Sequence, residues 1–191
     1  SAQSGARAHR KEGASERSVP LRFRKEVQEV PRLRMKRLHF QVAIPTVEDL
    51  TNALDGASPD AHAEWGRMSA PQMLHHVADF GDLYLGDIKV NALTRCAARL
   101  LGPFFLRSLT AKNPLGETPR NLRTMSAIEA STIQTVEWEE GKKRVRLMFK
   151  RLEALNTETQ QHPLYGTMHT ADFKALVMHH TAHHFHQFGL I

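Results

Sequence analysis

Cysteine is nearly missing from this sequence: among 191 residues, Cys96 stands alone. No disulfide can close within the chain, and a lone thiol fits a reducing compartment, so a cytoplasmic protein is expected. Long apolar runs are missing too. No stretch reaches the roughly 18 residues needed to span a bilayer, and no apolar segment follows a charged start as in a secretory signal. A membrane partner is therefore not expected. Several catalytic signatures are also absent. There is no His-Glu-x-x-His pair of the zincin type and no nucleophile elbow to support a Ser-His-Asp triad. Cys96 lies on an apolar helical stretch and reads as packing rather than as a nucleophile.

Net positive charge is scarce in the body despite a formal net charge of +6 for the whole chain. Residues 1–34 carry nine Lys or Arg against four Glu, whereas residues 35–191 carry seventeen against sixteen Asp or Glu. The basic balance belongs to the first segment, so nucleic acid is not an expected partner of the body. Residues 1–34 are also poor in large apolar side chains. They cannot bury enough surface to offset the entropy of ordering, and a disordered basic extension is expected there. Met35 to Phe40 looks like a more natural beginning, and residues 35–191 form the expected domain.

With 41% apolar residues, that domain can build a core, and its pattern is helical. A short helix is expected from Thr46 to Leu54, capped by Thr46 with Asp49 in the first turn and ended by Gly56. Ser69-Ala70-Pro71-Gln72 opens a second helix as a capping box, and Met73, Val77, Phe80, Tyr84 and Ile88 form its inner face. Residues 92–110 form a third helix, which Gly102-Pro103 should kink or split. A short strand is expected around Ser131 to Val136, and a fourth helix from Trp138 to Asn156. His162 to Gly166 reads as a turn. Thr170 is expected to cap the last helix. The sum is an all-α fold, a helical bundle.

What the chain has in plenty is histidine. Of twelve, five fall between His179 and His186, and a further pair, His75-His76, lies in the second helix. At about 100° per residue, Phe173, Leu176, Val177 and Phe188 share one side of the last helix, with His180 and His184 at its centre. His179, His183 and His186 fall on a flanking stripe expected to be exposed. On the second helix His76 lies at the edge of the buried face and His75 almost opposite. The inward set is His76, His180 and His184. Three buried imidazoles need partners, and a divalent metal provides one. Three histidines suit Zn best, with Ni, Fe or Cu compatible, and leave a coordination position for water or substrate. Asp79, one turn after His76, is a candidate to accept that ring's other N–H or to be a fourth ligand, and Gln187, one turn after His184, is a candidate to contact the open position.

The segments Ser69 to Asp79 and His180 to Gln187 resemble the second-helix and last-helix motifs of the DinB/YfiT-like superfamily, a group of candidate metalloenzymes. There a helix opened by Ser carries His-hydrophobic-Ala-Asp, and the last helix carries His-x-x-x-His-x-x-Gln. Met35 to Phe40 and His162 to Gly166 resemble an uncharacterised branch labelled as a domain of unknown function. The family's usual Trp before the Ser is Met68 here. The resemblance implies a DinB-like four-helix bundle, a homodimer, and a divalent metal on His76, His180 and His184. It also implies thiol-dependent S-transfer or a related reaction on a small molecule, with a low-molecular-weight thiol as co-substrate. Three functions follow for test: a metal-dependent transferase or hydrolase, a non-catalytic metal-binding or dimerisation bundle, and a nucleic-acid arm at residues 1–34.

Overall fold

The computed structural model describes residues 37–118, 120, 128 and 137–191. The extension expected at residues 1–34 and the strand expected at Ser131 to Val136 lie outside them. Among the described residues the chain runs through α1 (Val47–Asp55), α2 (Ala70–Leu85), α3 (Ala92–Thr110), α4 (Trp138–Ala154), β1 (Thr159–His162), β2 (Gly166–His169) and α5 (Thr170–Gln187). The molecule is mostly helical, but the two strands depart from the all-α expectation.

Local chemistry starts the first two helices where the sequence indicates. Thr46 and Asp49 exchange side-chain and backbone bonds as a capping box, and Ser69 and Gln72 do the same one residue before α2. Each box satisfies two N–H groups that an uncapped helix leaves without partners. Gly86, in the left-handed region, ends α2. On α2, Met73, Val77 and Tyr84 are buried, with Phe80 and Ile88 packed against the core at its margin.

The core lies between α1, α2, α4 and α5. Leu50 and Leu54 of α1, Met73, Leu74 and Val77 of α2, Val145, Met148 and Leu152 of α4, and Phe173, Leu176, Val177 and Phe185 of α5 are all sealed from solvent. A ladder of ion pairs runs along one side of the α2–α4 contact. Arg144 binds Asp79 at 2.6 Å and Asp82 at 2.7 Å, and Arg151 binds Asp87 at 2.5 Å.

Three boundaries differ from expectation. Residues 162–166 are the tip of an antiparallel hairpin, with Thr159 opposite His169 and His162 opposite Gly166. The strands are four residues each, too short for an alternating pattern to stand out. The His162 Nδ1 accepts from the backbone N–H groups of Leu164 and Tyr165, and Gly166 supplies the positive φ that the three-residue loop needs. Thr170 is the first residue of α5 rather than its cap. His169 occupies the cap position, and the Thr170 hydroxyl donates instead to the Thr157 carbonyl at 2.5 Å. α4 ends at Ala154, two residues early, where the chain turns extended at Leu155.

α3 also differs. It continues unbroken through Gly102-Pro103. Pro103 and Arg99, whose carbonyl loses its partner, are both exposed, so the break in the hydrogen-bond ladder sits away from the core. Gly102 packs close against the body: a Cβ there would lie 2.6 Å from the Tyr165 ring. Leu106 and Thr110 are its other buried side chains, and most of its length projects apolar residues outward.

Candidate metal centre

α2 and α5 pack against each other, and that packing brings His76, His180 and His184 together. One ring nitrogen from each lies within 4.8 Å of the others. The ring centroids are 5.2, 4.8 and 4.6 Å apart for the pairs 76–180, 76–184 and 180–184. A tetrahedral ion bound at about 2.0–2.1 Å holds its nitrogens about 3.4 Å apart, so modest side-chain rotation closes the set. The described residues can thus hold a metal ion on three histidines.

The free nitrogens follow from the bonds the other nitrogens make. His76 Nδ1 lies 2.8 Å from the carbonyl of Ile128, and His184 Nδ1 lies 2.8 Å from Gln187 Oε1. Both oxygens only accept, so each ring carries its proton on Nδ1 and presents a bare Nε2. Gln187 is itself held, because its Nε2 donates to the Trp65 carbonyl at 2.6 Å. The third ring, His180, lies flat against Phe80 with centroids 3.6 Å apart and planes 10° from parallel. Its Nε2 is buried and has no hydrogen-bond partner. A buried polar atom left unpaired costs roughly 1–3 kcal/mol. An ion bound between the three rings would remove that cost, and the donor set, all imidazole, fits a borderline divalent metal.

Burial holds all three imidazoles below the usual histidine pKa. For His180 and His184 the fall is large, and the neighbouring histidines deepen it. The neutral form that a metal requires is therefore the resident form near neutrality.

Asp79 does not take the place considered for it. Its carboxylate is turned to Arg144, and the carbonyl of Ile128 receives the His76 N–H instead. No sequence pattern reports a backbone carbonyl 52 residues away. Gln187 touches His184 directly. Replacing it with Leu is expected to weaken metal affinity by about tenfold to a hundredfold, the usual effect of losing such an orienting partner. Competition against a chromophoric chelator would measure it, and an unchanged affinity would rule the orienting role out.

The flanking histidines are less exposed than their helical phase suggests. His179 is 1% exposed, with its Nε2 3.0 Å from the Lys112 carbonyl, and His183 is half-buried with Nδ1 3.4 Å from the Pro114 carbonyl. The segment following α3 covers that stripe. His186, also half-buried, meets Trp65 edge-on. His75 is half-buried as well, bound between Arg144 and the Glu137 carbonyl.

Trp65 also belongs to the site, though no local pattern marks it. It anchors Gln187 through its carbonyl, contacts His183 and His186 with its ring, and carries the Arg120 guanidinium 4.1 Å above that ring. Its one visible signal is rarity, since the chain has two tryptophans.

No curated protein and no solved structure matches this chain. A family model does match, over residues 90–189, a span from just before α3 to the end of α5 that contains His180 and His184. The chain therefore belongs to the family described as "Protein of unknown function (DUF1569)".

Proposed function

We propose that this protein is a divalent-metal-dependent enzyme whose metal is held by Nε2 of His76, His180 and His184. The observation that carries the reading is the pairing of two oriented imidazoles with a third whose buried Nε2 has no partner. Bound there with a coordination position to spare, a divalent ion supplies Lewis acidity to a small ligand. The chain's own residues do the rest. Ile128 and Gln187 fix the proton positions of His76 and His184, Phe80 holds the His180 ring plane, and buried Leu176, Val177 and Phe185 keep water from the back of the site. Zinc suits three neutral imidazoles best, with nickel or iron as alternatives. The similarity of the α2 and α5 motifs to DinB/YfiT-like proteins supports a DinB-like bundle, and for the reaction a thiol-dependent S-transferase or a hydrolase acting on a small molecule.

A second reading has an observation of its own. A cavity of about 300 Å³ opens between Tyr84, Leu85, Arg151, Leu155, Gln160 and Phe173, and none of the three histidines lines it. A cavity set apart from the three histidines fits a non-catalytic, metal-stabilised bundle. One experiment addresses both. Protein purified without chelator should carry about one equivalent of metal per chain by mass spectrometry. It should also accelerate the addition of a small thiol to an electrophilic aryl halide, and a chelator should abolish that rate. Stoichiometric metal without turnover of thiol or ester probes favours the bundle, and less than a tenth of an equivalent sinks both readings.

A further inference from the structure

α3 presents an outward face unlike the rest of the surface. Leu93 is 82% exposed, Leu100 72%, Leu101 66%, Phe104 76% and Phe105 52%. Their spacing of three, four and seven residues makes one stripe along the helix, with Ala97 and the exposed Cys96 filling its gaps. The buried residues of α3, Gly102, Leu106 and Thr110, lie on the opposite side. The stripe therefore points away from the protein body.

The charge around it is of one sign. From Ile88 to Gly116 the chain has Lys89, Arg95, Arg99, Arg107 and Lys112 and not a single Asp or Glu. Lys89, Arg95, Arg99 and Arg107 are exposed. By helical phase Arg107 flanks the stripe, whereas Arg95 and Arg99 lie on the far side with Gly102 and Leu106. Leu and Phe on one face with basic residues beside and behind them is the composition of a helix that lies in the plane of a membrane surface. Long basic side chains can extend to headgroups while their stems rest on apolar surface.

We propose that α3 docks on the surface of bilayers containing anionic lipid, its Leu93–Phe105 stripe entering the headgroup boundary and its Arg and Lys side chains pairing with lipid phosphates. No described helix is long and apolar enough to cross a membrane, and docking of this kind requires no crossing. A second copy of the chain fits the face less well. Two such helices would bring like charges together in either orientation.

The test is vesicle sedimentation with the full chain at about 0.1 M salt. Vesicles of equal parts phosphatidylcholine and phosphatidylglycerol should bind it at least tenfold more strongly than phosphatidylcholine alone, since each basic residue at such a surface contributes about fivefold. Leu100→Glu/Phe104→Glu should lose tenfold or more, and so should Lys89→Glu/Arg107→Glu. All four positions are exposed, so both variants should melt with the wild type. If one does not fold, the other carries the same comparison. Equal binding to both vesicle types, no binding to either, or full binding by a folded variant overturns the proposal. So does a wild-type dimer by light scattering that Leu100→Glu/Phe104→Glu makes monomeric, because the occupant would then be a second copy.

Discussion

His180→Ala should cut the thermal stabilisation that zinc confers on the metal-free protein to about a third. Structural zinc sites with four ligands bind with about 10–16 kcal/mol, or about 3 kcal/mol per ligand, so losing one ligand costs roughly a hundredfold or more in affinity. At a zinc concentration about a thousand times the wild-type Kd, binding adds roughly 4 kcal/mol to stability. For a chain of this size that is a rise of about 8–15 °C in Tm. The variant, now at only about ten times its own Kd, should keep roughly 1.4 kcal/mol of it, or about 3–6 °C. Without metal the balance is different. Alanine removes a buried nitrogen that has no partner, which is favourable, and also removes the ring stacked on Phe80, which is not. These opposing effects should leave the metal-free variant within about 2 kcal/mol of the metal-free wild type. His183→Ala is the control, because that ring points its Nδ1 to the Pro114 carbonyl and lies outside the three-histidine set. Differential scanning calorimetry with and without zinc decides: an undiminished zinc response in His180→Ala would remove His180 from the ligand set.

Mild acid should destabilise this protein at a pH where most carboxylates are still ionised. Burial lowers the pKa of His76, His162, His179, His180, His183 and His184, and that of His162 falls to about 3. A histidine with a depressed folded pKa takes up its proton more readily in the unfolded chain. Its stability is therefore intact above pH 6.5 and is lost progressively as the pH falls towards the folded value. For His162 the loss runs from 6.5 to about 3, at about 1.4 kcal/mol per pH unit, or about 2 kcal/mol by pH 5. The Nδ1 of that ring already accepts two backbone N–H groups and its Nε2 is buried among Tyr84, Tyr165 and Phe173, so a second proton has no acceptor nearby. The other buried histidines add to the slope. Urea unfolding of metal-free protein at pH 7.5, 6 and 5 should show stability falling by at least 2 kcal/mol across that range. In His162→Gln the slope should be shallower by about one proton's worth. A flat profile from 7.5 to 5 would mean that these rings are protonated in the fold.

Much of the helical frame was legible because its signals are local. The capping boxes at Thr46 and Ser69 involve residues three apart, and both close as their spacing implies. The inward phase of His180 and His184 follows from their position among Phe173, Leu176 and Val177, a property of one helix alone. Phase did not suffice for His179, because what covers it is the backbone after α3, brought there by the tertiary fold. The hairpin carries no clear local signal because its two strands have four residues each, with Met168 their one large apolar side chain, and its turn is stabilised by a histidine side chain rather than by turn residues alone. Asp79 and Arg144 are 65 residues apart, so nothing local showed that the carboxylate was already engaged.

The sequence by itself determined which residues could form helices, where the first two of them begin, and the phase that puts His180 and His184 beside Phe173, Leu176 and Val177. Each of these is decided by backbone hydrogen bonding and side-chain phase within a few residues. Only the tertiary structure decided which oxygens hold the ring protons of His76 and His184, which nitrogen of His180 is left without a partner, and which face of α3 stays outside the core. Those outcomes depend on groups distant in sequence, Ile128, Trp65 and Tyr165, that share no local pattern with the residues they contact. Their meeting is set by how the packed helices exclude water and leave each buried polar atom to find, or lack, a partner.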